Sequence, residues 1–327
     1  MQAEEPVTIL TVAREAGVSK TTASDALRGS GRVSETTREQ VAKVAERLGY
    51  VPNGSARHLR KASTGAVGLH VPEVLTRSAY YMSFVFGVVE QAARHDYDVT
   101  LITAGQRRAR APRVDGLVLG DPLGGDPVVE SLMATGLPTV SCEHFPGERQ
   151  ADGVVWSDHA PMLARLLGHL RSAGAARPGL IVAGDESDWA ASVHRGYLDW
   201  CAAQEVAPLV HRVSFDATGD EVRAAARSLL ESGAGMDALV CAPAGAATEV
   251  APLLREAGTG VLLASCVDSA ATRLADPPIT AIDLRPREAG ASCAELLFEL
   301  LSGTAPAGTE RVHPIELAVR ASTSPGS

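Results

Sequence analysis

Residues 19–28 read Ser-Lys-Thr-Thr-Ala-Ser-Asp-Ala-Leu-Arg. On a helix the apolar Ala23, Ala26 and Leu27 fall on one side, and Lys20, Thr21, Ser24, Asp25 and Arg28 fall on the other. A lysine, hydroxyls, a carboxylate and an arginine on a scaffold of small residues can bond base edges and phosphates at close range. The same pattern also suits the solvated face of an ordinary small bundle, and periodicity alone does not separate the two. Elsewhere the chemistry-bearing residues form no local set. The nine histidines are scattered, and the five cysteines (Cys142, Cys201, Cys241, Cys266, Cys293) have neither disulfide-framework nor zinc spacing, so they read as buried thiols. G-x-S-x-G, G-x-x-x-x-G-K-[ST], H-E-x-x-H and a post-strand G-x-G-x-x-G are all missing from the sequence.

The elements that must position the 19–28 face are legible around it. Ile9, Val12, Ala13 and Ala16 make an apolar helix face, with Thr8 as N-cap and Gly17 as stop. Ser19 caps the second helix, which ends before Gly29. Ser34 caps a third, with Glu35 in its first turn, Val41, Val44, Ala45 and Leu48 inward, and Gly49 at its end. Three short helices with a tight glycine turn between the first two predict a helix-turn-helix unit.

Charge supports a nucleic-acid role for this unit. The whole chain of 327 residues carries −9, but residues 1–62 hold ten Lys and Arg against seven Asp and Glu, a net of +3, which leaves −12 for the rest. All three lysines lie in the first 61 residues. A basic head on an acidic body points to DNA binding joined to another task. The length suits two domains or a head with a two-part body, and 45% apolar with 21% charged residues excludes disordered and collagen-like classes. Glu4 and Glu5 stand where a signal peptide needs basic residues, and no apolar run reaches membrane-spanning length, so a cytoplasmic protein with no membrane partner is expected.

Beyond residue 65, strand-like runs (66–71, 99–103, 116–120, 139–141, 153–156, 180–183, 238–241, 261–264, 279–284) alternate with helical stretches (83–95, 161–173, 220–232, 287–302). This alternation predicts parallel sheets with crossover helices, enough of them for two α/β lobes with a cleft between.

Val7-Thr8-Ile9-Leu10-Thr11-Val12-Ala13-Arg14-Glu15-Ala16-Gly17-Val18-Ser19, then Gly31-Arg32-Val33-Ser34, Thr37-Arg38, Leu48-Gly49-Tyr50 and Pro52-Asn53, strongly resemble the lactose-repressor (LacI/GalR) family of bacterial transcription regulators. The likeness continues in Val114-Asp115-Gly116-Leu117-Val118, Asp276-Pro277-Pro278-Ile279-Thr280 and the 316–323 segment, covering essentially the whole chain. It implies a small all-α helix-turn-helix head (1–52), a hinge helix and linker (53–65), and a periplasmic-binding-protein-like α/β body (66–327). Lobe one would span about 66–157 and 285–310, and lobe two about 158–284 with the C-terminal strand. It also implies a ligand-responsive regulator, expected to be a repressor, that binds palindromic double-stranded operator DNA as a homodimer through conformational change, with no cofactor and no enzymatic step. With no heptad segment following Thr323, a dimer rather than a tetramer is expected. An α/β enzyme or solute-binding protein with an accessory DNA-binding head is the other reading.

By this resemblance Ser19, Lys20, Thr21, Thr22, Ser24, Asp25 and Arg28 meet DNA, Thr22 near phosphate, while Asn53 caps the hinge helix, Arg57 lies on it, and Leu59 enters the minor groove. Asp25 departs from the family, where arginine is common, and a carboxylate can accept from cytosine N4 but not pair with guanine acceptors. For the effector the candidates are Tyr80, Tyr81, Asp121, Trp189, Val193, Arg195 and Asp268. Val193 stands at the family's pocket arginine, three residues before a glycine (Gly196) that begins a helix. Val267 stands at its pocket aspartate, which leaves Arg195 and Asp268 as the nearest charged replacements.

Overall fold

The structure is a computed structural model that describes residues 7–29, 31–50, 63–72, 78–103, 111–184 and 186–324. Its contacts divide the chain into two compact units, Met1–Ser63 and Thr64–Ser327. The division falls two residues before the expected start of the body.

In the first unit each helix begins where a hydroxyl satisfies an orphan backbone N–H. Thr8 accepts from the Thr11 amide at the head of α1 (Ile9–Glu15), Ser19 from Thr22 at α2 (Lys20–Arg28), and Ser34 from Thr37 at α3 (Glu35–Arg47). Between α1 and α2 the chain turns at Gly17, whose φ of +67° is open to glycine at little cost. Val12, Ala13, Ala16, Ala23, Ala26, Val41 and Ala45 form the core, and Gln40 Nε2 donates to the Ala16 carbonyl at 3.0 Å, fixing α3 against the end of α1.

The second unit holds two six-stranded sheets. The first has the order β11-β5-β4-β3-β1-β2, all parallel, from β1 (Ala66–His70), β2 (Asp98–Ile102), β3 (Gly116–Gly120), β4 (Thr139–Cys142), β5 (Gly153–Trp156) and β11 (Thr309–Val312). The second has the order β12-β10-β9-β8-β6-β7, from β6 (Pro178–Ala183), β7 (Leu209–Val213), β8 (Ala238–Cys241), β9 (Leu262–Ser265), β10 (Thr280–Asp283) and the antiparallel edge β12 (Glu316–Ala318). The crossovers are α4 (Ala79–Arg94), α5 (Pro127–Met133), α6 (His159–Ser172), α7 (Asp188–Ala203), α8 (Gly219–Glu231), α9 (Ala246–Ala257), the short α10 (Ala270–Leu274) and α11 (Pro286–Ser302).

The chain passes between lobes after β5, after β10 and after β11. Each lobe is therefore a doubly wound layer with its own core, Val118, Val140 and Leu297 in one and Leu166, Leu180 and Val240 in the other. Within lobe one, α4 and α11 cross so closely that a Cβ at Gly87 would collide with the Arg287 carbonyl, and one at Gly290 with that of Phe84. The body is tied in at its start by Asp115, whose carboxylate accepts from the Thr64 amide at 2.7 Å and the Gly65 amide at 3.1 Å.

The strand-like runs of the sequence coincide with strands. Outside the runs and stretches read from the sequence lie β7, β11 and β12 and the helices α5, α7, α9 and α10, and α4 begins at Ala79 rather than residue 83.

Candidate functional site

On α2, Lys20 and Thr21 are exposed, and Ser24 and Asp25 are half-buried. Ser19 and Thr22 pair their hydroxyls at 2.8 Å while the Thr22 amide donates to Ser19 Oγ at 3.0 Å, so both side chains also serve the cap. Asp25 lies against the turn into α3, since a Cβ built on Gly31 would stand 3.0 Å from Asp25 Oδ2 and 3.2 Å from its Cβ. Gly31, with φ +76°, thus leaves room for that carboxylate. Arg28 closes α2. Asn53, Arg57 and Leu59 lie outside the described residues.

The body contains a cavity of about 380 Å³. Its walls come almost entirely from the carboxyl ends of parallel strands, where a doubly wound sheet binds its ligands. From lobe one come Ser78, Tyr80 and Tyr81 ahead of and within the first turn of α4, Asp121 after β3 and Glu143 after β4. Lobe two adds Ala183 and Trp189 around the start of α7, residues 215–219 after β7, residues 243–246 after β8, Thr248 and Glu249 on α9, Val267 after β9 and Leu284 after β10.

Two carboxylates stand on left-handed backbone, Asp121 with φ +49° and Glu143 with φ +67°. Non-glycine residues hold that conformation only when their surroundings impose it, and such positions gather at binding sites. Here the sheet imposes it, because the Asp121 amide donates to the Cys142 carbonyl at 3.0 Å and the Glu143 amide to that of Val155 at 2.8 Å. Glu143 is satisfied by His159 Nε2 at 3.0 Å and the Ser157 amide at 3.4 Å. Asp121 accepts from the Tyr81 hydroxyl at 3.0 Å through one oxygen. Its other oxygen, Oδ1, has no hydrogen-bond partner among the described residues, nor do Ser78 Oγ and Trp189 Nε1, all buried in the cavity wall. Unsatisfied buried polar atoms are costly, and all three belong to residues that line this one cavity.

Burial, reinforced by the Glu143 charge and opposed by the Tyr81 hydrogen bond, raises the Asp121 carboxyl to about 7. Tyr80 and Tyr81, ring centroids 5.1 Å apart at 87°, are pushed well above ordinary phenols by burial and by these acidic neighbours.

Tyr80, Tyr81, Asp121 and Trp189 are therefore brought together, and three sequence candidates are not. Val193 is buried in the lobe-two core. Arg195 points outward from α7 with its side chain 63% exposed, bonded to Ser192 and 3.9 Å from Asp188. Asp268 is used up, because Arg320 holds both its oxygens at 2.8 and 2.9 Å, and Thr272 and Arg273 donate at 2.6 and 2.9 Å. Although burial works to raise it, these hydrogen bonds hold its carboxyl at about 2 and clamp the C-terminal segment to the lobe. Gly196 lies in the middle of α7, not at a helix start, where it lets the helix approach Ala160. The aspartate-equivalent Val267 does line the cavity, as an apolar wall. Sequence reasoning missed Ser78, Glu143, Asp216, Thr248 and Glu249. For Glu143 the available signal was a polar residue directly after a buried run, as at Asp121.

Comparison with known proteins finds the family model "Bacterial regulatory proteins, lacI family" matching residues 8–53 and the "Periplasmic binding protein-like domain" matching residues 167–323. The chain thus carries a lacI-family DNA-binding head and a periplasmic-binding-protein-like body, as its LacI-family relatives do. This is the organisation of a ligand-responsive, DNA-binding transcription regulator. Among relatives, the transcriptional regulator CelR of Thermobifida fusca is 29% identical over 97% of this chain and 96% of its own. RafR of Escherichia coli is 34% identical over 41% of this chain, a stretch spanning only 43% of that regulator. Among solved structures, a CelR–cellobiose complex is 26% identical with a TM-score of 0.69, covering 96% of this chain and 99% of that one. The lac repressor dimer bound to operator and the anti-inducer ONPF has a TM-score of 0.80, covering 98% and 100%. At 21% identity it shows the shared fold alone. No helix among the described residues is long and apolar enough to cross a membrane.

Proposed function

We propose that this lacI-family regulator represses transcription by binding a palindromic operator as a homodimer, and that a sugar-sized, polyhydroxylated effector in the 380 Å³ cavity changes its operator affinity. The observation that carries the effector reading is that Asp121, Ser78 and Trp189, which line one cavity between the lobes, each hold a buried polar atom without a partner among the described residues. Trp189 needs an acceptor and ionised Asp121 needs a donor, and a hydroxyl supplies either. Tyr80 and Trp189 offer flat surfaces for a sugar ring. Cellobiose, bound by the related CelR, is therefore the first probe.

On α2, Lys20, Thr21 and Ser24 face base edges, Asp25 accepts from cytosine N4, and Ser19, Thr22 and Arg28 hold phosphate or flank the groove, with Asn53, Arg57 and Leu59 completing the contact from the hinge. Dimerisation has its own support in the body. Met82, Phe86 and Val89 form an exposed apolar stripe at i, i+4 and i+7 along α4, next to exposed Leu101 on the edge strand β2. Such a stripe is covered when two copies pair. The protein is read as a non-enzyme acting in the cytoplasm, with binding alone as its mechanism, since an effector that prefers one arrangement of the lobes shifts the population of DNA-competent dimers.

The test is selection of bound fragments from genomic DNA with the full chain, followed by release assays with sugars. Enrichment of a two-fold symmetric site lost in a Lys20→Ala, Thr21→Ala double variant supports the reading. Fragments without a common site contradict it, and turnover of a bound sugar would mark an enzyme instead.

A further inference from the structure

We infer that the effector of this cavity carries a protonated amine, seated between the Asp121 and Glu143 carboxylates. The inference rests on the reading of the cavity as the effector site and adds its charge class. Carboxylates line it from both lobes, Asp121 and Glu143 in one and Asp216 and Glu249 in the other, while neither lysine nor arginine is among the described residues that line it. Compensation is already local for two of them, His159 serving Glu143 and Arg223 serving Glu249. Asp121, a residue only 7% exposed, is met by the neutral hydroxyls of Tyr81 and Ser187 and shares the His159 charge with Glu143, and its Oδ1 has no partner at full hydrogen-bond geometry among the described residues. Two buried carboxylates on adjacent strand ends repel each other, and a cation placed between them removes that penalty. No described lining residue would neutralise an anion. Val267 lines the cavity as an apolar side chain, Val193 is core, and Arg195 and Arg320 are directed elsewhere. The groups facing Asp121 are Tyr80 and Tyr81 of α4, Cys142 and Glu143 at the end of β4, His159 of α6 and Ser187 ahead of α7. With its carboxyl near 7, Asp121 has mostly lost its charge at pH 5.5 and regained much of it at pH 7.5.

Calorimetric titration of the full chain decides it, with five probes: the β-1,4-linked glucosamine dimer, its N,N′-diacetyl form, cellobiose, cellobiouronate and putrescine. The amine dimer is expected to bind about tenfold tighter than the diacetyl form and cellobiose near pH 7.5, as one charge-assisted hydrogen bond provides, with the uronate showing no binding. This advantage should fall to roughly threefold or less near pH 5.5, and likewise in Asp121→Asn at pH 7.5. The pH series on the unaltered chain carries the same test if the variant does not fold. Binding of putrescine as well would support amine recognition without a sugar frame. If cellobiose or the diacetyl form binds as tightly as the amine, or the advantage survives both acid and Asp121→Asn, the inference is overturned while the effector site stands. If no probe binds, the inference is overturned, and operator selection with the same preparation judges the regulator reading independently.

Discussion

Asp25 is set where α2 turns toward α3, and the missing side chain of Gly31 leaves room for its carboxylate. A carboxylate accepts from the exocyclic N4 amine of cytosine and has nothing to donate to guanine acceptors, so it can discriminate between them. Asp25→Ala should abolish base preference at one symmetric position of the operator, costing about 1–3 kcal/mol of discrimination there, as read by selection on randomised half-sites. Unchanged preference with weaker overall binding would make Asp25 a positioning residue. Asp121 gives a second prediction at this scale. Its folded carboxyl titrates near 7 against an ordinary 3.8, so between these values the native state keeps a proton that the unfolded chain releases. Stability from this group is thus lost as pH rises toward about 7, and Asp121→Asn should raise the melting temperature more near pH 8 than near pH 5. An equal change at both pH values would show that the carboxyl titrates normally. Asp268 behaves oppositely. Asp268→Ala should destabilise the body by roughly 3 kcal/mol at neutral pH, because it strands Arg320, while leaving effector affinity within about twofold. Chemical denaturation and calorimetry check the two halves, and a large loss of effector affinity in a folded variant would restore Asp268 to the site.

The helix α4 combines three tasks along one turn-by-turn pattern. Its first turn brings Tyr80 and Tyr81 to the cavity, Gly87 admits α11, and Met82, Phe86 and Val89 remain exposed. Phe86→Glu should convert the dimer to monomer at micromolar concentration in sedimentation equilibrium without lowering the melting temperature, since that ring is 53% exposed. A variant still dimeric would place the interface elsewhere. Elements of this kind show what the sequence could tell. The 180–183 and 238–241 runs were readable as strands because they are fully buried and bounded by turn residues. β11 reads Thr-Glu-Arg-Val and is a half-exposed edge, so its pattern carries little signal. The aromatic and Asp121 contributions were legible, whereas Glu143, Asp216 and Glu249 follow strands far apart in the chain. Only the sheet order gathers their ends into one cavity, and that order is not written in local periodicity. Arg195 and Asp268 failed for the same reason, because proximity along the chain to a pocket position does not fix helix phase or say which partner a charge finds first.

Across the whole molecule the charges are segregated, a net +3 in residues 1–62 and −12 beyond. Operator affinity should therefore fall steeply with salt, about one counterion being released per phosphate contact, and a flat response would remove the DNA-binding reading. The central claim is that the cavity and the head share one free energy. It is tested most directly by titrating the selected operator with the full chain in fluorescence anisotropy, with and without a saturating amount of whichever sugar probe binds, in the unaltered protein and in Trp189→Ala. The account predicts an operator Kd shifted about tenfold or more by the ligand in the unaltered chain, a coupling of roughly 1–3 kcal/mol, and a shift of less than about twofold in the variant at the same ligand concentration. A ligand that binds the cavity with calorimetric stoichiometry and leaves the operator Kd unchanged would contradict it.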